Sequence, residues 1–408
     1  MTVTHAPEDQ AHRRGSKGFR RINLGLFAAG LATFMVLYCV QPLLPLFARD
    51  FRLTPTESSL AISVATGMLA LAIVPLSMLS ERWGRMPLMT ASLFATALLQ
   101  IAVAFSPNFT VMLALRALQG LAVAGLPAVA MAYLAEEVHR GSLGFAVGLY
   151  IGGNSIGGMA GRVIAGLVTD LGGWRWALSA VGVTSLACAL LFRAVMPSSS
   201  NFNQKPIGMR SLGRCFRDSG LVRLYLIGMM LMGSFVTIYN YLGFRLTAAP
   251  FGLSQAIVGL ISVAYLAGTV SSPVAGRLVD RYSRRQVLWG TALVSLAGLG
   301  LMLFDNIVLV VLGLLLLTAG FFAGHTVASG WVSARAAHPA QAAAAYQLCY
   351  YLGSSVGGSV GGLAFSGGGW VEVTVFTAAL TLGMLALGLS LRKLAPAARN
   401  LVRTPVTV

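Results

Sequence analysis

Charged residues are scarce in this 408-residue chain, in which Asp, Glu, Lys and Arg make up only 10% of the sequence. Ordinary soluble domains carry about 25%, so a soluble enzyme is excluded because its water-facing surface could not be built. Disorder is excluded too, since 56% of the residues are hydrophobic. With a mean hydropathy of +0.77, the composition predicts a protein that lives in a lipid bilayer.

Motifs for metal, disulfide and nucleotide chemistry are missing as well. The four cysteines, at positions 39, 188, 215 and 349, have no metal-ligand spacing and suggest no disulfide framework. No G-x-x-x-x-G-K-[ST] stretch is present to cradle the phosphates of ATP. We therefore expect neither metal nor cofactor, and an ion gradient as the source of energy.

Long uncharged runs predict twelve membrane-spanning helices, since one span needs about 20 apolar residues. The predicted spans are 22–47, 57–79, 87–105, 109–132, 142–164, 175–195, 222–244, 255–275, 286–304, 307–330, 342–365 and 371–391. The sequence thus predicts an all-α integral membrane protein. Its parts are an N-terminal tail (1–21), a six-helix bundle (22–196), a linker (197–221), a second six-helix bundle (222–391) and a C-terminal tail (392–408).

The basic residues predict the orientation in the membrane. If the N-terminus is cytoplasmic, the inner segments hold 23 of the 29 Lys and Arg. The outer loops then hold only Arg49, Arg52, Arg175 and Arg245. The positive-inside rule therefore places both termini in the cytoplasm. The net charge of +17 follows from this topology and does not indicate nucleic-acid binding, since there is no soluble domain to carry such a surface.

The two halves of the chain repeat each other. Residues 77–85 align with residues 276–284 at an offset of 199, and the glycine-rich residues 153–158 align with residues 353–358 at an offset of 200. Gly120 likewise aligns with Gly320. A duplicated six-span unit is typical of alternating-access transporters, whose substrate site lies between the halves.

Three motifs resemble those of the major facilitator superfamily, and the resemblance covers residues 22–392. Residues 77–86 are similar to its G-x-L-x-D-R-x-G-R-R loop, with departures at Ser77, Glu81 and Met86. Residues 115–120 resemble its R-x-x-Q-G element in span 4, and residues 38–45 resemble the span 1 signature of twelve-span drug:proton antiporters. The chain is most similar to the bacterial YnfM-like inner-membrane branch. This resemblance implies the major facilitator fold in a bacterial inner membrane, and we expect a monomer.

Two arginines stand inside predicted spans, Arg116 in span 4 and Arg162 near the outer end of span 5. Burying Arg costs at least about 2.5–3.5 kcal/mol on insertion scales, so such residues are functional candidates. The family resemblance implies that Arg116 takes part in proton coupling. The alternatives are a structural tie of Arg116 to backbone carbonyls or Gln119, and snorkelling of Arg162 to the membrane interface.

No acidic residue stands near the middle of a span, because all 12 Asp and Glu fall in loops or at span ends. This weakens a multidrug-cation interpretation, since proton-coupled cation exporters usually place a carboxylate in the cavity. His325 in span 10 is the one histidine inside a span, and its unperturbed pKa near 6.5 suits proton exchange. The alternative is a neutral histidine that forms a hydrogen bond between helices.

Further candidates follow from the family resemblance, which implies that spans 1, 4, 7 and 10 line the cavity. Packing between helices is the alternative for the aromatic members. At span 5, Asn154 replaces the proline of the antiporter fingerprint, which leaves the direction of transport open. The substrate and cavity candidates are Phe34, Tyr38, Gln41, Arg116, Gln119, Asn154, Arg162, Tyr239, Asn240, Tyr241 and Phe321.

The two repeated loops are predicted to gate the inner mouth. In the family such charge networks stabilise the outward-open state; alternatively the basic residues only enforce topology. The gating candidates are Glu81, Arg82, Gly84 and Arg85 in the first loop and Asp280, Arg281, Arg284 and Arg285 in the second.

The leading hypothesis is a secondary transporter that exports small organic compounds or drugs in exchange for protons. The alternative is a proton-coupled uptake carrier for an organic anion, favoured by Arg116, Arg162 and the missing midplane acid. An enzyme is not expected, because His325 alone does not supply a positioned acid, base, nucleophile or metal. A receptor would not need the repeated gating loop. The predicted partners are a small-molecule substrate, protons and the lipid bilayer.

Overall fold

Every regular element is helical in the computed structural model, which describes residues 11–391 except 198, 200–201 and 203–212. The prediction of an all-helical fold is confirmed. The first ten residues of the predicted N-terminal tail, part of the predicted linker and the whole predicted C-terminal tail lie outside the described residues.

Twelve long helices follow one another along the described residues. The last helical run, Pro339–Ser390, contains two of them, because Gly368 and Gly369 have non-helical backbone angles. The helices are α1 (Lys17–Asp50), α2 (Pro55–Trp83), α3 (Arg85–Ala104), α4 (Phe109–Glu137), α5 (Arg140–Gly172), α6 (Trp174–Val195), α7 (Ser219–Thr247), α8 (Gln255–Arg281), α9 (Arg284–Leu301), α10 (Ile307–Arg335), α11 (339–367) and α12 (370–390).

Two helices are interrupted by a tight 3₁₀ turn. In α1, the α-helix Lys17–Tyr38 is followed by the turn Gln41–Leu43 and a short α-helix, Leu44–Asp50. In α8, the turn Ser262–Tyr265 joins Gln255–Ile261 to Leu266–Arg281. Both turns lie in the outer part of the molecule, where we define the inner side as the side on which α1 begins.

Most helices are longer than the apolar runs that predicted them. For example, α2 continues to Trp83, α4 to Glu137 and α10 to Arg335. Hydropathy marks where apolar character ends, whereas a helix ends where its backbone groups find other partners. Among the described residues, nine helical segments are long and apolar enough to cross a membrane, and the long run Pro339–Ser390 counts as one of them.

The helices pack in corresponding ways in the two halves of the chain. In the first half α1 packs on α5 and α6, and α2 packs on α4. In the second half α7 packs on the Pro339–Ser390 run, and α8 packs on α10. Glycines allow the closest approaches: a Cβ at Gly120 would collide with the backbone of Ala65, and one at Gly320 would collide with Ser295 and Thr291.

The two halves meet at their outer ends through two helix pairs. In the first pair, α5 crosses α8 where the backbone of Gly166 lies against Gly259, and Asp170 accepts a hydrogen bond from the N–H of Ala256 (3.0 Å).

The second pair is α2 with α11. There the Ser355 hydroxyl donates to the carbonyl of Ser63 (2.7 Å), and the hydroxyls of Thr56 and Ser366 lie 3.2 Å apart. Both pairs close the outer side of the molecule.

The inner ends of the same helices are exposed. Trp83, at the end of α2, exposes 62% of its surface, and Asp280 and Arg281, at the end of α8, are exposed as well. Between described residues, every hydrogen bond that joins the two halves lies toward the outer side. The conformation is therefore inward-facing.

We expect Gly120→Ala to destabilise the protein by about 1–3 kcal/mol, because the added methyl group forces α4 away from α2. The measurement is the melting temperature of the detergent-purified protein. Gly148→Ala is the matched control, since a Cβ at Gly148 meets no atom within 4 Å. The expectation fails if the two variants melt together.

Candidate functional site

An amide pair joins the two halves at the outer end of the central helices. The Nε2 of Gln41 donates to the Oδ1 of Asn240 at 2.7 Å, and both side chains are buried. The two residues are 199 positions apart, which is the offset between the two repeated loops. Gln41 and Asn240 are therefore equivalent positions of the repeat that contact each other where the two halves meet.

Arg162 is held beside this amide pair. Its Nε donates to the Oε1 of Gln41 (2.6 Å), its second Nη group donates to the same oxygen, and its first Nη group donates to the carbonyl of Gly158 (2.5 Å). The residue exposes only 1% of its surface. The snorkelling alternative is therefore wrong: a polar partner and aromatic rings retain the side chain inside the protein.

Three tyrosine rings surround the guanidinium group of Arg162. The Cζ atom lies 4.9 Å from the ring centre of Tyr38, 5.0 Å from that of Tyr239 and 4.5 Å from that of Tyr265. Tyr38 and Arg162 belong to the first half, and the other two rings belong to the second. Cation–π attraction, about 0.5–2 kcal/mol per contact, thus joins the halves around a single positive charge.

Aromatic contacts continue from Arg162 toward the inner side. Phe235 lies 4.7 Å from Tyr239 and 3.8 Å from Phe321 between ring centres, and Phe321 lies 6.3 Å from Tyr350. We call this connected set the aromatic cluster. Its members are Tyr38, Phe235, Tyr239, Tyr265, Phe321, Phe322, Tyr346, Tyr350 and Tyr351.

His325 stands at the inner end of the aromatic cluster. Its Nδ1 lies 3.0 Å from the hydroxyl of Tyr346, and its ring centre lies 4.7 Å from that of Tyr350. The ring is half-buried. The hydrogen bond connects α10 to α11, which matches the alternative role of a neutral histidine bonded between helices. The partial exposure also leaves the imidazole within reach of the inner side.

The other intramembrane arginine, Arg116, forms structural ties. Its guanidinium donates to the carbonyls of Ala61 (2.7 Å) on α2 and of Val36 (3.2 Å) and Leu37 (2.9 Å) on α1. It also donates to Gln119. The side chain is fully buried, and these bonds connect α4 to α1 and α2. These contacts match the alternative role considered for Arg116, a structural tie to backbone carbonyls and Gln119.

Gln119 extends the Arg116 ties to a fourth helix. Its Nε2 donates to the Oε1 of Gln100 on α3 at 3.0 Å and to the carbonyl of Thr96 at 3.3 Å. Its amide is therefore engaged with protein groups on both sides, away from the aromatic cluster.

Carboxylates are kept away from the aromatic cluster in the described part of the chain. Asp50 accepts from the indole of Trp174, Asp218 pairs with Arg335, and Asp305 pairs with Arg245, all near helix ends. Arg162 is consequently a buried cation with neutral protein partners. The site favours a bound anion over a bound cation.

Three further predicted residues take different positions. Phe34 is half-buried and lies 6.0 Å from Tyr38 between ring centres, so it borders the site on the inner side. Asn154 lies where α5 crosses α1. The hydroxyl of Tyr241 donates to the carbonyl of Gly358 (2.8 Å), which directs its ring to α11 and away from Arg162.

The first predicted gating loop forms a charge network. Arg85 binds Glu81 at 2.6 Å and Glu136 at 2.9 Å, so it connects the start of α3 to the ends of α2 and α4. Gly84 makes the turn with a φ of 87°, which favours glycine, and Arg82 is exposed.

The second predicted gating loop is open. Asp280, Arg281 and Arg284 are exposed, and Arg285 stacks on Trp289 with its Cζ 4.8 Å from the ring centre. Asp280 forms no ion pair with any residue that the structure describes. The network expected at this loop is therefore not formed in the inward-facing conformation.

An ion pair outside the spans ties the inner ends of α7 and α10. Arg335 donates from its Nε to Asp218 at 3.0 Å. Partial burial would raise the pKa of Asp218, but the hydrogen bonds from Arg335 and from the N–H groups of Leu221 and Gly220 outweigh it and hold the pKa below its ordinary value. The carboxylate is therefore charged at neutral pH.

Sequence reasoning missed the part of the site on α8 and α11. Tyr265, Tyr346 and Tyr350 were not among the candidates, because the family pattern directs attention to spans 1, 4, 7 and 10. The signal was present: Tyr346 and Tyr350 are four residues apart, so they share one helix face inside an apolar span.

The chain is similar to members of one known protein family. The sequence profile of the Major Facilitator Superfamily matches residues 26–358 and 246–405. The Inner membrane transport protein YnfM of Escherichia coli (strain K12) is 44% identical over 94% of this chain and 94% of its own length. The Uncharacterized MFS-type transporter YybF of Bacillus subtilis (strain 168) is 43% identical over 88% of this chain and 91% of its own length.

Solved structures of the same fold have much lower sequence identity. A bacterial homologue of the human lysosomal transporter Spinster, in an inward-facing and unoccupied conformation, matches with a TM-score of 0.73 at 15% identity, over 93% of this chain and 96% of its own. The nucleoside transporter NupG matches with a TM-score of 0.72 at 14% identity, over 91% and 99%. These two likenesses concern the fold alone.

We expect Arg116→Met to lower the stability of the protein by at least about 2 kcal/mol, because it leaves backbone carbonyls on two helices without their donor. The measurement is again the melting temperature in detergent. Arg49→Met is the control, since the Arg49 side chain is 74% exposed and its loss should change stability little. Equal melting temperatures for the two variants would contradict the structural role of Arg116.

Proposed function

Because the chain belongs to the Major Facilitator Superfamily, we propose that this multi-pass secondary transporter works by alternating access and exports small organic compounds in exchange for protons. The observation that carries the proposal is the closure of the two halves at their outer ends above the buried site, while their inner ends are exposed. Rocking of one half against the other would open the outer side and close the inner side.

The two halves would move as rigid bundles, residues 22–196 and residues 222–391. Opening the outer side requires the Gln41–Asn240 hydrogen bond and the α5–α8 and α2–α11 contacts to separate. Closing the inner side would bring Asp280 and its neighbouring arginines into a network equivalent to the one that Arg85 already forms. The gating loops would thereby stabilise the outward-open state.

His325 is the proposed proton carrier. Protonation of its imidazole adds a positive charge to a cluster that already holds Arg162 and in which no described residue supplies a carboxylate. Two cations in a low-dielectric site repel each other, so protonation would favour the conformation in which one of them is hydrated. The coupling would then act through a shift of the conformational equilibrium.

Small organic compounds fit the chemistry of the site, which offers aromatic rings with a few polar groups. An uptake carrier for organic anions is the second candidate, and the observation that favours it is Arg162, a buried cation without a described carboxylate partner. For either direction we propose a bacterial inner membrane with both termini in the cytoplasm, in agreement with the distribution of basic residues.

A disulfide across the outer contact tests alternating access. We expect the double variant Thr56→Cys/Ser366→Cys, in a background without the four native cysteines, to lose transport on oxidation and to regain it with a reductant, because the bond holds α2 against α11. Each single variant is a control that should be insensitive to oxidant. Full transport by the oxidised, cross-linked protein would contradict the proposed movement.

The proton carrier is tested by His325→Gln in proteoliposomes containing a pH-sensitive dye. We expect the variant to lose at least about tenfold of the proton flux that a panel of small organic compounds elicits from the unaltered protein, because a glutamine cannot exchange a proton. Tyr346→Phe is the companion variant, which removes the hydrogen bond but keeps the imidazole and should retain flux. Unchanged flux in His325→Gln would move the proton site elsewhere, with Glu57, Glu81 and Asp280 as the next candidates.

A further inference from the structure

Two buried residues that carry hydrogen-bond donors, Arg162 and Asn240, contact Gln41. Arg162 commits three of its five N–H groups to the hydrogen bonds described above. The Nδ2 of Asn240 has no partner among the residues that the structure describes. Buried donors without an acceptor are costly in a low-dielectric site, so the site is built to receive an acceptor.

Gln41 occupies the position that an anion would take. Its Oε1 accepts two N–H groups from the guanidinium of Arg162, as one oxygen of a carboxylate does. An amide oxygen is neutral, however, so the positive charge of Arg162 stays uncompensated. A ligand carboxylate would form stronger, charge-assisted hydrogen bonds at the same place.

We propose that the transported compound carries one carboxylate, which displaces the amide oxygen of Gln41 from Arg162. This inference rests on the proposed function, because it assumes that the bound compound is transported. It adds the chemical class of that compound. Gln41 is then a specificity-determining residue. Its displacement also strains the hydrogen bond to Asn240, so binding of the substrate weakens the contact that closes the outer side.

The surroundings define the rest of the substrate. Arg162 is the only cation that contacts Tyr38, Tyr239 and Tyr265 in the described part of the chain, so a second negative charge would be left without a partner. The three rings offer flat apolar surface beside the guanidinium group. A monoanion with an aromatic ring therefore matches the site better than a phosphate ester or a dicarboxylate.

We propose that the carboxylate reaches Arg162 from the inner side. Phe34 and His325, on that side of the aromatic cluster, are half-buried, whereas Arg162, Gln41 and Asn240 are at most 1% exposed. The carboxylate would enter between the separated inner ends and reach the guanidinium at the closed outer end.

Four aromatic compounds test the inference by thermal stabilisation of the purified full-length protein. Benzoate, its neutral amide benzamide and the cation benzamidine have nearly the same shape, and phenyl phosphate is a dianion. A ligand that binds the folded state alone raises the melting temperature. We expect benzoate to raise it in a concentration-dependent manner and the other three to have no effect.

Two substitutions of Gln41 and one matched control locate the effect. Gln41→Glu supplies an internal carboxylate to Arg162 and should abolish stabilisation by benzoate. Gln41→Ala removes the competing oxygen and should lower the apparent Kd for benzoate by about tenfold. Gln100→Glu introduces the same carboxylate at a buried glutamine of the same half that does not contact Arg162, and it should keep the response to benzoate.

Stabilisation by benzamide, benzamidine or phenyl phosphate equal to that by benzoate would overturn the inference, and so would no response to benzoate. A response that persists in Gln41→Glu, or that is lost in Gln100→Glu as well, would also overturn it. If Gln41→Glu does not fold, the affinity change in Gln41→Ala decides. Proton flux with other compounds, without benzoate binding, would reject the substrate class and leave the proposed function standing. Benzoate binding without any proton flux would keep the carboxylate site and reject the proposed proton-coupled transport.

Discussion

The burial of one uncompensated positive charge is the constraint on which the centre of this molecule depends. Arg162 is retained at the junction of the halves because Gln41, the Gly158 carbonyl and three tyrosine rings replace the water that its guanidinium loses. Two of the three rings come from the second half, so they surround the charge only while the outer ends are together. Closure of the outer side therefore adds two ring contacts to the stabilisation that the first half already gives Arg162.

The two buried arginines, Arg116 and Arg162, differ in the groups that their guanidinium groups bind. Arg116 has its hydrogen bonds distributed over carbonyls of two neighbouring helices, which makes it a fixed part of the first half. Arg162 has one hydrogen bond to a backbone carbonyl, that of Gly158, and two to the side-chain oxygen of Gln41. A guanidinium tied to backbone can move only with the helices, whereas one tied to a side-chain amide can exchange its partner.

The fold could be predicted from the sequence because its determinants are local or repeated. Apolar runs predicted the helices, and the repeat around Glu81 and Asp280 predicted the duplication. Helix ends such as Thr54 with Glu57 could not be placed from hydropathy, because they depend on a reciprocal pair of hydrogen bonds beyond the apolar run. Of the site, Gln41, Arg162, Tyr239 and Asn240 were predicted, whereas Tyr265 could be placed beside Arg162 only once the packing of α8 was known.

The pairing of Gln41 with its repeat equivalent Asn240 explains why the positive charge is carried by a different residue, Arg162. A residue on a two-fold axis faces its own counterpart, and an amide can pair with an amide because it both donates and accepts. A guanidinium cannot pair with a guanidinium. Arg162 stands off the axis, and its repeat equivalent is Gly362. Two identical six-helix subunits would bring two such charges to one junction, so the single charge requires two halves that differ in sequence at this position.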